Sequence, residues 1–177
     1  MKQSSKCAIG GIISALSLVM MISVAIIPFL TYALPAAAGL LIVPVVIEID
    51  KKWALGVYVT VSILAILLVP DKEVAVMYAA FFGYYPVIKA VFEKHLPAAL
   101  SYLLKAVCFA GAMLSSYYLM IKFMGLELDE LEEFGAFAVP LLLGMGLVAF
   151  ILYDFVLTRF VIIYDRKWRK YFKRYFK

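Results

Sequence analysis

The sequence has little of what most enzyme sites need. Its 177 residues include one histidine and two cysteines, Cys7 and Cys108, which lie far apart in apolar stretches. A histidine-based metal site or a CxxC pair is therefore not indicated, and the cysteines are expected to pack as small side chains. There is also no HExxH, no GxSxG and no glycine-rich phosphate loop. These absences predict a protein that is not an enzyme and that carries no metal or cofactor.

Charged residues are scarce as well. Only 16% of the residues are charged, whereas 66% are hydrophobic, and the mean hydropathy is +1.00. A soluble domain of this size has roughly half its residues apolar and about a quarter charged. Because the excess of apolar residues runs along the whole chain, the composition predicts a single all-α domain, a polytopic protein of the plasma membrane.

The apolar stretches divide into six spans, since about 20 residues of helix cross a bilayer. In the fourth span, Gly83 and Pro86 predict a kink, because proline lacks the N–H that would continue the helix. The predicted spans cover about residues 7–27, 32–47, 53–69, 74–92, 96–123 and 136–163.

The tail after the last span, residues 164–177, orients the chain. It is rich in Lys and Arg, which stay on the cytoplasmic side when they lie near a span. With six spans, both termini are then predicted to be cytoplasmic. Aromatic residues recur in the tail at helical spacing, opposite the basic ones, which is typical of an interfacial helix that binds anionic lipid. A cytoplasmic protein is the alternative partner, and a nucleic acid is not indicated, because the positive charge lies beside apolar spans.

Lys105 and Asp154 stand out among the charged residues of the predicted spans, because a charge inside the membrane costs about 2.5–3.5 kcal/mol. Each is about eight or nine residues from the cytoplasmic end of its helix, a depth of about 12–13 Å. The matched depth predicts a Lys105–Asp154 ion pair, with Lys89 and Arg159 as competing partners. Such a pair is either structural or a switch linked to substrate or protons.

Small residues form ridges on the first helix. Gly11 and Ala15 lie four residues apart, as do Gly10 and Ser14, so another helix can approach either pair closely. The pattern is common, and it serves either internal packing or the docking of another subunit.

Aromatic residues gather in the half of the protein that is predicted to face outside. Such rings and hydroxyl groups suit a pocket for a flat, mildly polar small molecule. The alternative is an interfacial aromatic belt together with ordinary packing. The residues predicted to line the pocket are Thr31, Tyr32, Tyr78, Phe82, Tyr85 and Tyr118.

With these features the chain resembles the S component, the substrate-binding membrane subunit of an energy-coupling factor (ECF) transporter. The resemblance rests on chain length, six spans, basic ends, the small-residue first helix and a link containing Pro28 to a short second helix. It implies that Gly11 and Ala15 dock a coupling membrane subunit, where the family has an alanine pair; glycine at the first place is a departure.

The resemblance also implies that two ABC-type ATPases supply the energy and that the outer half binds a vitamin or similar organic molecule. The metal-transporting branch presents an N-terminal histidine, which this chain lacks. Two alternatives remain. One is a stand-alone secondary transporter that uses Lys105 and Asp154 as a charge relay, and the other is a membrane scaffold or regulator that transports nothing.

Overall fold

The computed structural model of the protein describes residues 3–124 and 138–169. The structure is 90% helical, and this part of the chain contains no strand, so the predicted all-α class is confirmed. Within the same residues, five helical stretches are long and apolar enough to span a membrane. They are Gln3–Ala25, Lys51–Leu68, Lys72–His95, Ala98–Leu119 and Gly144–Trp168.

We number the α-helices in chain order. They are α1 (Gln3–Ile22), α2 (Ala33–Leu40), α3 (Val43–Glu48), α4 (Lys51–Leu68), α5 (Lys72–Met77), α6 (Tyr85–His95), α7 (Ala98–Met124) and α8 (Ala138–Ile163). Short 3₁₀ turns, Ser23–Ala25 and Pro28–Leu30, lie between α1 and α2. Five-residue π-helical segments follow α5 (Tyr78–Phe82) and α8 (Tyr164–Trp168).

The second predicted span is broken into α2 and α3. Together they form the apolar stretch Ala33–Glu48, which is shorter than the other five. Pro44 lies in the first turn of α3, where its missing N–H costs no helical hydrogen bond. The same missing N–H cannot bond the carbonyl of Leu40, so the α-helix is interrupted after Leu40 and starts again at Val43.

The fourth predicted span changes its helical form near the middle. The amide of Gly83 donates to the carbonyl of Tyr78 at 2.9 Å, a hydrogen bond across five residues that is typical of a π-helix. Helix α6 begins at Tyr85, with Pro86 in its first turn. The π-helical segment Tyr78–Phe82 therefore joins α5 to α6 in place of a continuous α-helix.

Tyrosines of neighbouring helices contact carbonyl groups of this π-helical segment. Pro86 cannot donate to the carbonyl of Phe82, and the hydroxyl of Tyr153 on α8 lies 3.4 Å from that oxygen. The hydroxyl of Tyr58 on α4 donates to the carbonyl of Ala79 at 2.6 Å. Tertiary hydrogen bonds thus compensate for lost helical ones, as buried carbonyl groups require.

Two glycines let the backbone pack closely around the same segment. A Cβ atom at Gly39 on α2 would overlap the carbonyl oxygen of Phe82. A Cβ atom at Gly83 would lie 2.5 Å from the ring of Tyr58. Any larger residue at either position would push the π-helical segment away from α2 or α4.

The buried apolar residues form two clusters that meet at Phe82. The first lies among α1, α2, α4 and α5 and includes Met21, Val24, Ala38, Val61, Ala65, Val74 and Tyr78. The second joins α3, the π-helical segment, α6, α7 and α8, and it consists of Val43, Phe81, Tyr85, Ala112, Phe150, Tyr153 and Leu157.

The outward faces of the long helices are apolar too. Soluble monomers rarely expose such continuous apolar surface, whereas lipid tails require it. Together with the five long apolar helices, these faces indicate a membrane-spanning protein. The exposed side chains include Ile12 and Val19 of α1, Val59 and Ile63 of α4, and Ile151, Leu152 and Phe155 of α8.

The structure describes the C-terminal tail only as far as Arg169. This residue contacts Glu48 at the end of α3, with Nε 3.3 Å from Oε1, and Asp165, with Nη1 2.6 Å from Oδ1. The amphipathic helix predicted for the rest of the tail lies outside the described residues, as does the beginning of the predicted sixth span.

Candidate functional site

A cluster of charged side chains lies between α6, α7 and α8. The side chains of Lys89, Lys105 and Asp154 are 3%, 1% and 6% exposed, whereas that of Glu93 is 47% exposed. Charges buried to this degree are stable only when they are paired and hydrogen-bonded. We call these four residues, with Tyr85, the charge cluster.

The four charges of the cluster contact one another directly. Lys89 Nζ lies 2.5 Å from Asp154 Oδ1 and 2.8 Å from Glu93 Oε1. Lys105 Nζ lies 2.5 Å from the same Glu93 oxygen and 3.6 Å from Asp154 Oδ1. Two ammonium groups thus face two carboxylates, and the cluster as a whole is neutral.

Helical spacing places the α6 members of the cluster on one face. Tyr85, Lys89 and Glu93 follow one another at intervals of four residues, so their side chains lie one above the other. The hydroxyl of Tyr85 donates to Asp154 Oδ1 at 2.5 Å, so this oxygen accepts from both Tyr85 and Lys89. The backbone carbonyl of Asp154 accepts from the hydroxyl of Thr158 at 2.8 Å.

The partners of Asp154 differ in order from the sequence prediction. Lys105 lies within ion-pair distance of Asp154, as predicted. Lys89, which the sequence offers as a competing partner, makes the shorter contact with Asp154. Arg159 instead places its guanidinium 5.1 Å from the ring centre of Phe155, which precedes it by one turn on α8. The register of α6, which follows the π-helical segment, decides which lysine reaches Asp154.

Sequence reasoning missed Glu93. Glu93 lies one residue beyond the predicted fourth span, residues 74–92, yet its side chain binds both lysines of the cluster. A signal was present in the sequence, because Glu93 lies four residues after Lys89 on one predicted helix face. The helix continues to His95, so Glu93 is a helical residue.

Helix α1 points its two small-residue pairs in different directions. Gly10 and Ser14 are buried, and a Cβ atom at Gly10 would lie 3.2 Å from Val57 on α4. Gly11 and Ala15 are exposed, and a Cβ atom at Gly11 would meet no atom of the described residues within 4 Å. Internal packing therefore uses one pair and leaves the other uncovered.

Three of the residues predicted to line the pocket are packed in the interior. Tyr78 and Tyr85 are fully buried, one in each apolar cluster, and Phe82 packs against both clusters. Aromatic rings surround them, since Tyr78 contacts Tyr58, and Tyr85 contacts the ring of Tyr153. These three residues support the packing around the π-helical segment.

The other three lie nearer the surface. Tyr32 and Tyr118 are 61% and 60% exposed, and the hydroxyl of Tyr32 donates to Glu73 Oε1 at 3.2 Å. Thr31 donates to the carbonyl of Pro28 at 2.6 Å. The structure thus places the six residues in different environments, and a pocket that they share stays a prediction.

Comparison of the chain with family models, with curated proteins and with solved structures finds no match. Proposals about function therefore depend on the residues and their geometry.

Proposed function

We propose that this protein is the substrate-capture subunit of an ECF-type importer in the plasma membrane. It would bind a vitamin or similar small organic molecule at the outer face, and dock to a coupling membrane subunit and two ABC-type ATPases. The observation that supports this proposal most is the uncovered face of α1 that contains Gly11 and Ala15.

This face has the shape that close helix packing in membranes needs. Gly11 and Ala15 form a shallow ridge, and the exposed side chains of Ile12, Leu16 and Val19 lie beside it. Small residues at such spacing let another helix approach the backbone closely. Because Gly10 and Ser14 already serve the packing of α1 inside the fold, the second pair is available for another subunit.

Contacts at the two ends of the stretch Ala33–Glu48 favour six crossings. At one end, Tyr32 bonds Glu73 near the C-terminal end of α4. At the other end, Glu48 pairs with Arg169, and α4 begins only a few residues later. The stretch therefore runs from one end of the bundle to the other, as the second, shorter crossing of the proposed topology requires.

The distribution of basic residues supports cytoplasmic termini. With six crossings, Lys6, Lys51, Lys52 and Lys94 fall on the same side as the basic tail, as the positive-inside rule requires. The turn that contains Tyr32 and the start of α5 at Glu73 then lie outside. A ligand pocket beneath these two segments would use the aromatic residues predicted for it.

The proposal is tested by affinity purification of tagged variants from native membranes. Gly11→Leu fills the uncovered ridge, so it should remove the coupling subunit and the two ATPases from the eluate. Gly111→Leu is the matched control, because Gly111 on α7 is also exposed and a Cβ atom there meets no atom of the described residues within 4 Å. If Gly11→Leu retains both ATPases as well as Gly111→Leu does, this face of α1 is not the docking surface.

A second candidate function follows from the charge cluster. Asp154 and Lys105 lie 3.6 Å apart in the interior, an arrangement that a stand-alone secondary transporter could use as a charge relay. This candidate predicts proton-dependent uptake in proteoliposomes without ATPases, and Asp154→Asn should uncouple uptake from the proton gradient. Uptake that requires ATPases would reject it.

A further inference from the structure

One oxygen of the charge cluster has an unusual set of partners. Oε1 of Glu93 lies 2.8 Å from Lys89 Nζ and 2.5 Å from Lys105 Nζ, so two ammonium groups converge on a single carboxylate oxygen. The two lysines are buried on α6 and α7, and the carboxylate that bridges them is about half exposed. Most of the solvent exposure of the cluster is therefore on the one group that joins the lysines.

The charge balance of the cluster depends on Glu93. Without Glu93, a net charge of +1 would remain on Lys89, Lys105 and Asp154, whose side chains are almost fully buried. An uncompensated buried charge is strongly destabilising, so an anion is needed where the Glu93 carboxylate lies. The half-exposed Glu93 carboxylate can be hydrated when it leaves, provided that another anion takes its place beside the two lysines.

We propose that Lys89 and Lys105 form a binding site for an oxyanion, a carboxylate or phosphate group, and that Glu93 is its built-in occupant. An incoming oxyanion would take the place of the Glu93 carboxylate and accept charge-assisted hydrogen bonds from both ammonium groups. Carboxylates and phosphates carry the acceptor oxygens that such a pair of donors selects. The proposal does not depend on the importer function proposed above.

A buried hydroxyl one helical turn before Lys105 supports this assignment. Ser101 lies four residues before Lys105 on α7 and therefore on the same face of the helix. It is 2% exposed, and its hydroxyl has no hydrogen-bond partner in the part of the chain that the structure describes. Buried hydroxyls are rarely left without a partner, and an oxyanion larger than the Glu93 carboxylate would provide one.

The location fits an anion that arrives from a polar phase. Glu93 lies in the last turn of α6, and Lys94 and His95 beside it are exposed. A free carboxylate or phosphate can reach this end from water, and the phosphate of a lipid head group can reach it from the bilayer surface. Both sources offer the same chemistry to the two ammonium groups, and experiment distinguishes them.

The test removes the Glu93 carboxylate by mutation and supplies other anions that can bind in its place. Full-length Glu93→Ala is placed in phosphatidylcholine nanodiscs, and its unfolding temperature is measured while sodium acetate replaces sodium chloride at fixed ionic strength. We expect a rise of about 2–4 °C at about five times the Kd of acetate. The wild type should shift less, because Glu93 competes with acetate.

Two variants control for charge. Glu73→Ala loses the same charge from the opposite end of the Lys72–His95 stretch, where Glu73 bonds Tyr32, and it should not respond to acetate. Glu93→Ala combined with Lys105→Met removes one of the two ammonium groups, and the response should disappear. If Glu93→Ala does not fold, Glu93→Gln keeps one acceptor oxygen and should show a smaller shift in the same direction.

Two further series of the same measurement identify the source of the anion. Inorganic phosphate replaces acetate in one series, and nanodiscs that contain phosphatidylglycerol replace the neutral ones in another. A shift with acetate or phosphate assigns the site to a free anion, and a shift only with phosphatidylglycerol assigns it to a lipid phosphate. If none of the three raises the unfolding temperature of the Glu93 variants beyond that of Glu73→Ala, the proposal is wrong.

Discussion

The hydroxyl of Tyr85 donates a hydrogen bond of 2.5 Å to Oδ1 of Asp154, across 69 positions of sequence. This contact joins the first turn of α6 to the middle of α8. The start of α6 follows from the π-helical segment and from Pro86, so the backbone break and the charge cluster belong to one arrangement. Disturbing either should weaken the other.

Tyr85→Phe should destabilise the protein by about 1.5–3 kcal/mol, because it removes a hydrogen bond to a buried carboxylate and keeps the ring. The measurement is the free energy of unfolding in detergent. Tyr153→Phe is the comparison in the same aromatic cluster: its hydroxyl bonds an uncharged carbonyl at 3.4 Å, so this variant should lose less stability than Tyr85→Phe. Equal losses for the two variants would contradict the role of the Tyr85–Asp154 bond.

Asp154→Leu should cost about 3–5 kcal/mol, because it leaves the ammonium of Lys89 buried without its closest partner. Lys89→Met should also destabilise, since Asp154 then loses its shortest ion pair. The double variant should lose clearly less than the sum of the two single variants, because it buries neither charge alone. Simple additivity in this double-mutant cycle would mean that the pair is not coupled.

Lys105→Met should destabilise less than Lys89→Met. Lys89 lies within 2.8 Å of both carboxylates, whereas Lys105 is that close only to Glu93 and is 3.6 Å from Asp154. The two variants make the same chemical change in equally buried positions, so each is the control for the other. The reverse order of unfolding free energies would show that Lys105 is the main partner of Asp154.

Gly39→Ala should destabilise by about 1–3 kcal/mol, because the new Cβ atom would overlap the carbonyl of Phe82 and force the backbones apart. The control is Gly56→Ala in α4, where a Cβ atom meets no atom of the described residues within 4 Å. There the higher helix propensity of alanine should stabilise by up to about 1 kcal/mol. A stabilising Gly39→Ala would show that α2 can move away freely.

Hydropathy and turn residues were enough to predict the helical class and most of the long helices. The third predicted span, residues 53–69, for example, coincides with helix α4, Lys51–Leu68. The π-helical segment could not be predicted in this way. Its open carbonyl groups are satisfied by Tyr58 and Tyr153, which lie on other helices, and no local pattern shows such contacts.

The candidate site could also be predicted only in part, because its contacts join different helices. Depth along the helices predicted that Lys105 and Asp154 lie near each other, but the nearest lysine depends on the rotation of α6. That rotation follows the five-residue hydrogen bond between Gly83 and Tyr78. Periodicity also could not separate aromatic residues that pack in the interior, such as Tyr78, from those that line a pocket.

We propose that this protein captures a small molecule for an ATP-driven importer, and the partners and ligand of the native protein distinguish this function from the alternatives. The tagged wild type is purified from native membranes in mild detergent, and mass spectrometry identifies the proteins and small molecules in the eluate. We expect two ABC-type ATPases, a coupling membrane protein and a bound organic metabolite. A protein that elutes alone with a metabolite would favour a secondary transporter, and unrelated proteins without any metabolite would contradict the importer function.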